Sequence, residues 1–200
     1  MPIPKRSFYF LRHGQTDWNV EGRFQGQQQI PLDETGRAQA EELASRAAGH
    51  GFAALWSSPL RRARETADAI ARHTGLQARE DPRLMETDAG DWTDRLFAEV
   101  RAESPQAFAA FIGGDAAFAF PGGESFAEQE VRVAAALQDV ERAPLPALVV
   151  CHGMVIRAAL SVRARHWLSG SERVPNGALV PLDPIEAAAE LGGGAATTPS

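Results

Sequence analysis

Two apolar runs in this chain end in the same way. Phe8-Tyr9-Phe10-Leu11 leads into Arg12-His13-Gly14, and Ala147-Leu148-Val149-Val150-Cys151 leads into His152-Gly153. A short continuous apolar run that stops at Gly reads as a buried strand. Glycine at such a stop lets the backbone turn or come close to a ligand. Strand ends in an open α/β sheet are also where ligands usually bind. A single histidine there is more often a hydrogen-bonded structural residue, but two strands of one design argue for a shared site. With the permanent cation of Arg12 beside His13, the first stop reads as an anion site with a nucleophile or acid–base group at hand.

A third segment has related chemistry. Ala54-Leu55-Trp56 is strand-like, and Ser57-Ser58-Pro59-Leu60-Arg61-Arg62 follows it. Ser58 before Pro59 predicts a helix start, with Ser capping and Pro preset for the first helical position. Arg61 and Arg62 then fall in the first turn, where the helix dipole disfavours cations by roughly a few tenths of a kcal/mol. An anion held between that helix end and an arginine reverses the sign.

The rest of the pattern is regular. Residues 14–34 read as a long loop, followed by a helix over about 35–48, a strand at 53–56 and a helix at 59–73 stopped by Gly75. One or two helices span 93–112, broken near Ser104-Pro105, and Pro121-Gly122-Gly123 is a turn. The helix 124–142 carries Phe126, Val133, Leu137 and Val140 as a core stripe. Strand 146–151, helix 154–164 and an edge strand within 177–182 complete the unit. Strands alternating with helices predict a three-layer α/β/α sandwich with a mostly parallel central sheet. His13, His152 and Arg62 then meet at one sheet edge. A single domain is expected over 1–185, and 186–200, with its Gly, Ala, Thr and Pro, is expected to be a disordered tail.

Taken together, these blocks make the chain resemble the histidine phosphatase superfamily, which includes the cofactor-dependent phosphoglycerate mutases. The resemblance rests on Leu11-Arg12-His13-Gly14-x-Thr16-x-Trp18-Asn19, on Ser58-Pro59-Leu60-x-Arg62-Ala63-x-x-Thr66-Ala67 and on His152-Gly153. Arg23-x-Gln25-Gly26, Pro31-Leu32-x-x-x-Gly36-x-x-Gln39-Ala40 and Pro121-Gly122-Gly123-Glu124-Ser125 extend it over most of residues 5–165. The resemblance implies that His13 attacks phosphorus and carries the phosphoryl group covalently. It maps the positive charges around the phosphate to Arg12, Arg62 and His152, and further substrate contacts to Asn19, Gln25 and Gly26. Three cations about 4 Å from a phosphate each contribute roughly 4 kcal/mol at an effective dielectric near 20, before desolvation. Such a cluster stabilises a transferring phosphoryl group without a metal. The proton for the leaving alkoxide maps to Glu86, in Leu84-Met85-Glu86, with Asp88, Asp91 and Asp94 as neighbouring competitors. The family's Gly-x-Trp-Glu-Gly block stands here as Gly90-Asp91-Trp92-Thr93-Asp94, a departure in its last two residues. The helical stretch within 93–120 corresponds to the family's variable insertion over the active site.

Composition limits the alternatives. A net charge of −6 argues against a general nucleic-acid binder. No apolar run has the length of a membrane span, and the apolar stretch before Arg12 is too short for a signal peptide, so a cytoplasmic location is expected. One cysteine excludes an internal disulfide, and no Cys/His cluster has zinc-site spacing. The expectation is a metal-free, cofactor-free phosphatase acting on a small-molecule phosphomonoester, with no nucleic-acid or membrane partner; a homodimer is left open. Three other readings compete with it. Cys151 and Arg157 have the spacing of cysteine-dependent phosphatases, but the interval His152-Gly153-Met154-Val155-Ile156 suits packing rather than a phosphate-wrapping loop. A mutase carries a longer Glu-Arg-His-Tyr-Gly-type block where this chain has Glu86-Thr87-Asp88-Ala89-Gly90. A non-catalytic phosphate-binding module requires the loss of a catalytic group, and none is lost here.

Overall fold

Phe8–Arg12 (β1) and Ala147–Cys151 (β4) lie side by side and parallel at the centre of a five-stranded sheet. The computed structural model describes residues 7–164 and 174–182. Ala54–Ser57 (β2) and Ala78–Glu80 (β3) extend the sheet in parallel on one side, and Leu179–Leu182 (β5) closes the other side antiparallel to β1, giving the order β3-β2-β4-β1-β5.

The alternation of side chains builds the layers. Phe8, Phe10, Val149 and Cys151 face one core, with Val133, Leu137 and Val140 of Phe126–Arg142 (α6) and Val155 and Ile156 of Gly153–Ala164 (α7). Tyr9, Leu11, Leu148 and Val150 face the opposite core, with Ala40, Ala44 and Ala47 of Glu34–Ala48 (α2) and Ala63, Ala67 and Ile70 of Arg61–Thr74 (α3). Because both faces are covered, the two central strands are continuous apolar runs rather than alternating, with Arg12 only at the last position of β1. This is the expected three-layer α/β/α sandwich with a mostly parallel sheet.

A third cluster lies apart from the sheet. Trp92, Phe24, Phe118, Phe120 and Phe126 are buried there, with Phe97 of Phe97–Glu103 (α4) and Phe108 and Phe111 of Pro105–Gly113 (α5) packed against them. It gathers seven of the chain's ten phenylalanines. Pro105 opens α5, so the two helices part at Ser104.

Several details differ from the sequence reading. The loop 14–34 contains a short helix, Asp17–Glu21 (α1), which Thr16 caps in a capping box with Asn19. The box uses Asn where the usual signature has Glu or Gln. Strand β3 has only three residues, with no β-branched side chain to announce it. Residues 93–96 are not helical; Leu96 forms an isolated bridge with Arg23. The expected tail, 186–200, lies outside the described residues. Among those described, no helix is long and apolar enough to cross a membrane.

Candidate active site

Strand register places the two histidines together. Arg12 pairs with Cys151, and the ladder runs one step further as the His13 N–H donates to the Cys151 carbonyl at 3.0 Å. The His13 and His152 rings leave adjacent strand ends with centroids 5.2 Å apart. On the other side of β4, the Ser58 N–H donates to the Val150 carbonyl, which sets the Ser58 hydroxyl 2.8 Å from His152 Nε2.

Hydrogen bonds fix the tautomer of His13. Nδ1 lies 2.7 Å from the Gly14 carbonyl, which can only accept, so Nδ1 carries the proton. Nε2 is left with its lone pair, toward which Arg62 Nε donates at 3.3 Å. Burial first, then the Arg62 and Arg12 guanidiniums, hold the His13 pKa well below its ordinary value. The result is a buried neutral imidazole with a directed lone pair, which is what nucleophilic attack needs.

His152 differs from expectation in charge. Burial, followed by Arg62, His13 and Arg12, lowers its pKa well below the usual 6.5, so the anticipated cation at 152 is a neutral ring. Its proton still has a use. Ser58 Oγ already accepts from the Leu60 N–H at 3.2 Å; donating its own proton to His152 Nε2 leaves the ring proton on Nδ1, which is buried without a partner. A phosphate oxygen is a natural acceptor for that donor.

Arg62 is 1% exposed and held in place by backbone: Nη1 donates to the Gln28 carbonyl at 2.8 Å and Nη2 to the Gly26 carbonyl at 2.9 Å, which leaves a second N–H on each of these nitrogens. Burial brings its pKa down to about 10, which leaves it charged at neutral pH. Arg12 Nη1 donates to the Val174 carbonyl, and its guanidinium lies against Gly153, within about 4 Å of where a Cβ would stand. Asn19 Oδ1 accepts from the Thr16 N–H and hydroxyl and from Asn176 Nδ2, so its own amide N–H groups are what remain for a ligand. Gln25 is buried with Oε1 unpartnered, and Gly26 adopts φ +47°, where a side chain is strained.

Gly14 serves close packing rather than a left-handed turn. A Cβ at Gly14 would stand 2.4 Å from the Gly36 carbonyl oxygen, and one at Gly36 would stand 2.0 Å from that of Gln15. The loop after β1 therefore lies directly on the first turn of α2. Thr66 fastens it from α3, accepting from the Gly14 N–H at 3.2 Å while donating to the Arg62 carbonyl.

Glu86 lines the same cavity. Its Oε1 accepts from the Thr87 N–H at 3.0 Å, and its Oε2 lies 3.5 Å from the Met154 N–H in the first turn of α7. The competing aspartates are occupied elsewhere and do not line the cavity. Asp88 accepts from the Gly90 N–H, Asp91 lies beside Gly122, and Asp94 meets Arg23. The departure from the family block also has a local explanation. Asp94 holds φ +67°, a left-handed conformation that suits the family's Gly and that Asp tolerates better than most residues.

Sequence reasoning missed several supports. Arg132 of α6 donates to the Arg83 and Met85 carbonyls at 2.7 Å and pairs with Glu124, which accepts from the Asp88 N–H. This brace holds the segment carrying Glu86. Asn176 donates to the His13 and Gly14 carbonyls as well as to Asn19. Only the turn-forming Asn176-Gly177 pair hinted at it. The expected cap at Ser58 is also corrected. Helix α3 starts at Arg61 after an extended Leu60 with no side-chain cap, because Ser58 is turned to His152 and Pro59 precedes the helix. Cys151 is fully buried in the α6–α7 core and its pKa is raised, by burial first and then by Glu86, leaving a protonated thiol away from the cavity.

The cavity these residues share measures about 560 Å³. Arg12, His13, Asn19, Gln25, Gly26, Arg62 and Glu86 line it. His152 stands immediately behind, against His13. Among the described residues no group of three or more His, Cys, Asp or Glu is gathered as a metal site.

A glucosyl-3-phosphoglycerate phosphatase of Mycobacterium tuberculosis is 38% identical over 166 residues, spanning 78% of this chain and 74% of that protein. A probable phosphoglycerate mutase of Enterobacter sp. is 37% identical over 155 residues, spanning 76% of this chain and 72% of that protein. The solved structure of a mycobacterial glucosyl-3-phosphoglycerate phosphatase in complex with VO3 superposes with a TM-score of 0.80 at 33% identity, covering 89% of this chain and 92% of that one. The family described as the histidine phosphatase superfamily (branch 1) matches residues 8–186, nearly the whole chain, and it is to this superfamily that the protein belongs.

Proposed function

We propose that the chain is a metal-independent phosphatase that hydrolyses phosphomonoesters through a phosphohistidine at His13. The observation that carries this is the Nδ1–H bond to the Gly14 carbonyl, which leaves Nε2 unprotonated beside Arg62 in a cavity that also holds a carboxyl group. His13 Nε2 attacks phosphorus, the bond to the ester oxygen breaks, and the Glu86 carboxyl gives its proton to the departing alkoxide. The Glu86 carboxylate then takes a proton from water as the water oxygen attacks phosphorus. The P–N bond breaks and inorganic phosphate leaves. Arg12, Arg62, the Asn19 amide and His152 Nδ1–H supply charge and donors to the phosphoryl oxygens, a role that preorganised groups perform without a metal. Gln25 and Gly26 shape the same end.

Hydrolysis is preferred over mutase action because the segment after the acid, Thr87-Asp88-Ala89-Gly90, brings no basic or aromatic side chain to rebind a phosphorylated product. Both activities occur under the names of the relatives. Incubation with a labelled phosphomonoester in EDTA, followed by alkaline quench, is expected to yield an acid-labile, base-stable phosphoenzyme on His13, with inorganic phosphate as product. Label on another residue, or turnover only with added divalent metal, overturns the reading. Interconversion of phosphoglycerates primed by a bisphosphate, faster than phosphate release, would establish the mutase.

A further inference from the structure

We propose that the substrate's leaving group is apolar, a ring-bearing or branched hydrocarbon group rather than a sugar or a glyceric acid. This rests on the phosphomonoesterase reading of the site. The cavity, about 560 Å³, lies in the range of pockets that take drug-sized ligands, roughly 300–1,000 Å³, so most of it is left for the leaving group. Beyond His13 and Glu86 its walls are Phe24, Phe97, Phe108, Phe111, Ile112 and Met154.

These residues are not simply the inside of a core. Phe97, Phe108 and Phe111 pack on the aromatic cluster yet remain half-buried, and Ile112 is 37% exposed, one of three large hydrophobics so exposed among the described residues. Aromatic and aliphatic side chains left accessible inside a concave site are matched by an apolar ligand surface.

Most of the polar groups lining the cavity away from the phosphoryl site are already engaged; the Thr87 hydroxyl is buried without a partner, enough for a single hydrogen bond to a ligand. Arg23 pairs with Glu21 and Asp94, Gln15 Nε2 donates to Asp33, and Gln39 Oε1 accepts from the Gln15 N–H. Arg157 donates to Met154 Sδ and lies in the field of Glu86. A polyhydroxylated leaving group would give up its hydration to meet mostly carbon.

The test uses matched leaving groups. 3-Phenylpropyl phosphate and glycerol 3-phosphate are both primary alkyl esters, and glycerol is the slightly less basic leaving group, so reactivity does not favour the apolar substrate. The full chain is expected to hydrolyse the phenylpropyl ester with kcat/KM at least tenfold higher, the difference lying mainly in KM. Ile112→Asn at the rim and Phe108→Leu within the wall should each lower that ratio by at least threefold; the rim variant retains the packed cluster. Equal or better use of glycerol 3-phosphate or 3-phosphoglycerate overturns the proposal. Calorimetry with 3-phenylpropylphosphonate and 2,3-dihydroxypropylphosphonate separates the two readings. If no ester is turned over but the apolar phosphonate binds at least tenfold tighter, phosphatase action fails and the apolar pocket stands. Equal Kd values sink the pocket whatever the turnover.

Discussion

The two ends of the cavity are built by different means. At the phosphoryl end His13 and His152 leave the ends of central strands, Arg62 stands in the first turn of α3, and directional hydrogen bonds hold them: His13 to the Gly14 carbonyl, Arg62 to the Gly26 and Gln28 carbonyls, and His152 to the Ser58 hydroxyl. The aromatic end is carried by α4, α5 and the loops beside them, and rings pack on rings without a directional bond. Hydrogen bonds to fixed carbonyls specify atom positions, whereas stacking and burial specify only shape and volume. One end is fitted to a single chemical group and the other to a class of molecules.

The largest contrast is expected in catalysis. His13→Ala should reduce kcat by about 10⁴-fold or more, as loss of a nucleophile does, while Phe111→Ser should cost less than about 100-fold, the range for one hydrophobic contact. Steady-state kinetics on one substrate compares them, and comparable losses would erase the distinction between the two ends.

Stability should rank them in reverse. Phe126 is fully buried and joins the aromatic cluster to α6, so Phe126→Ala should destabilise by roughly 3–5 kcal/mol. Urea unfolding of that variant beside His13→Ala, both at neutral pH, checks the ranking. A smaller loss for Phe126→Ala than for His13→Ala would contradict it.

The histidine part of the pH dependence of stability belongs to the phosphoryl end. The folded-state pKa values of His13 and His152 are both depressed, so below pH 6.5 the unfolded chain takes up protons that the fold excludes. Their contribution is complete above 6.5 and is lost as pH falls from there, at about 1.4 kcal/mol per pH unit for each ring. Unfolding free energies between pH 7.5 and 5 should show the slope, and His152→Asn should remove half of this part. An unchanged slope in that variant would mean that the ring protonates freely in the fold.

The smallest effect concerns the junction between the ends. Asp94→Gly relieves the left-handed strain but removes the carboxylate facing Arg23, two terms each near 1 kcal/mol or less, so stability should shift by less than about 1 kcal/mol. A larger loss, by thermal unfolding, would show that Asp94 holds more than its own turn.

The same contrast governs what could be read from the sequence. The sheet, the helices on its faces and the convergence of His13, His152 and Arg62 follow from apolar runs, Gly stops and a motif whose members sit close together in the chain. Asn176 was not legible, because the carbonyl it holds belongs to a residue 163 positions away and nothing local marks the pairing. The Arg132–Glu124 brace looks in sequence like an exposed helix charge beside a turn carboxylate. Ser58 reads locally as a cap, whereas its tertiary partner His152 has the stronger claim on the hydroxyl. The aromatic wall was seen only as helical periodicity, since which rings point into a cavity depends on how α4 and α5 are set down.

Cys151 and His152 are consecutive, one pointing into the core and the other toward the site. Which of them is available to chemistry is decided by parity along β4. Deleting one residue from that strand, or slipping it one step against β1, would exchange thiol and imidazole and turn every other β4 side chain over with them. The site should therefore accept many substitutions in β4 more readily than a single insertion or deletion there. The identity of the reacting groups at this sheet edge is protected by counting as much as by composition.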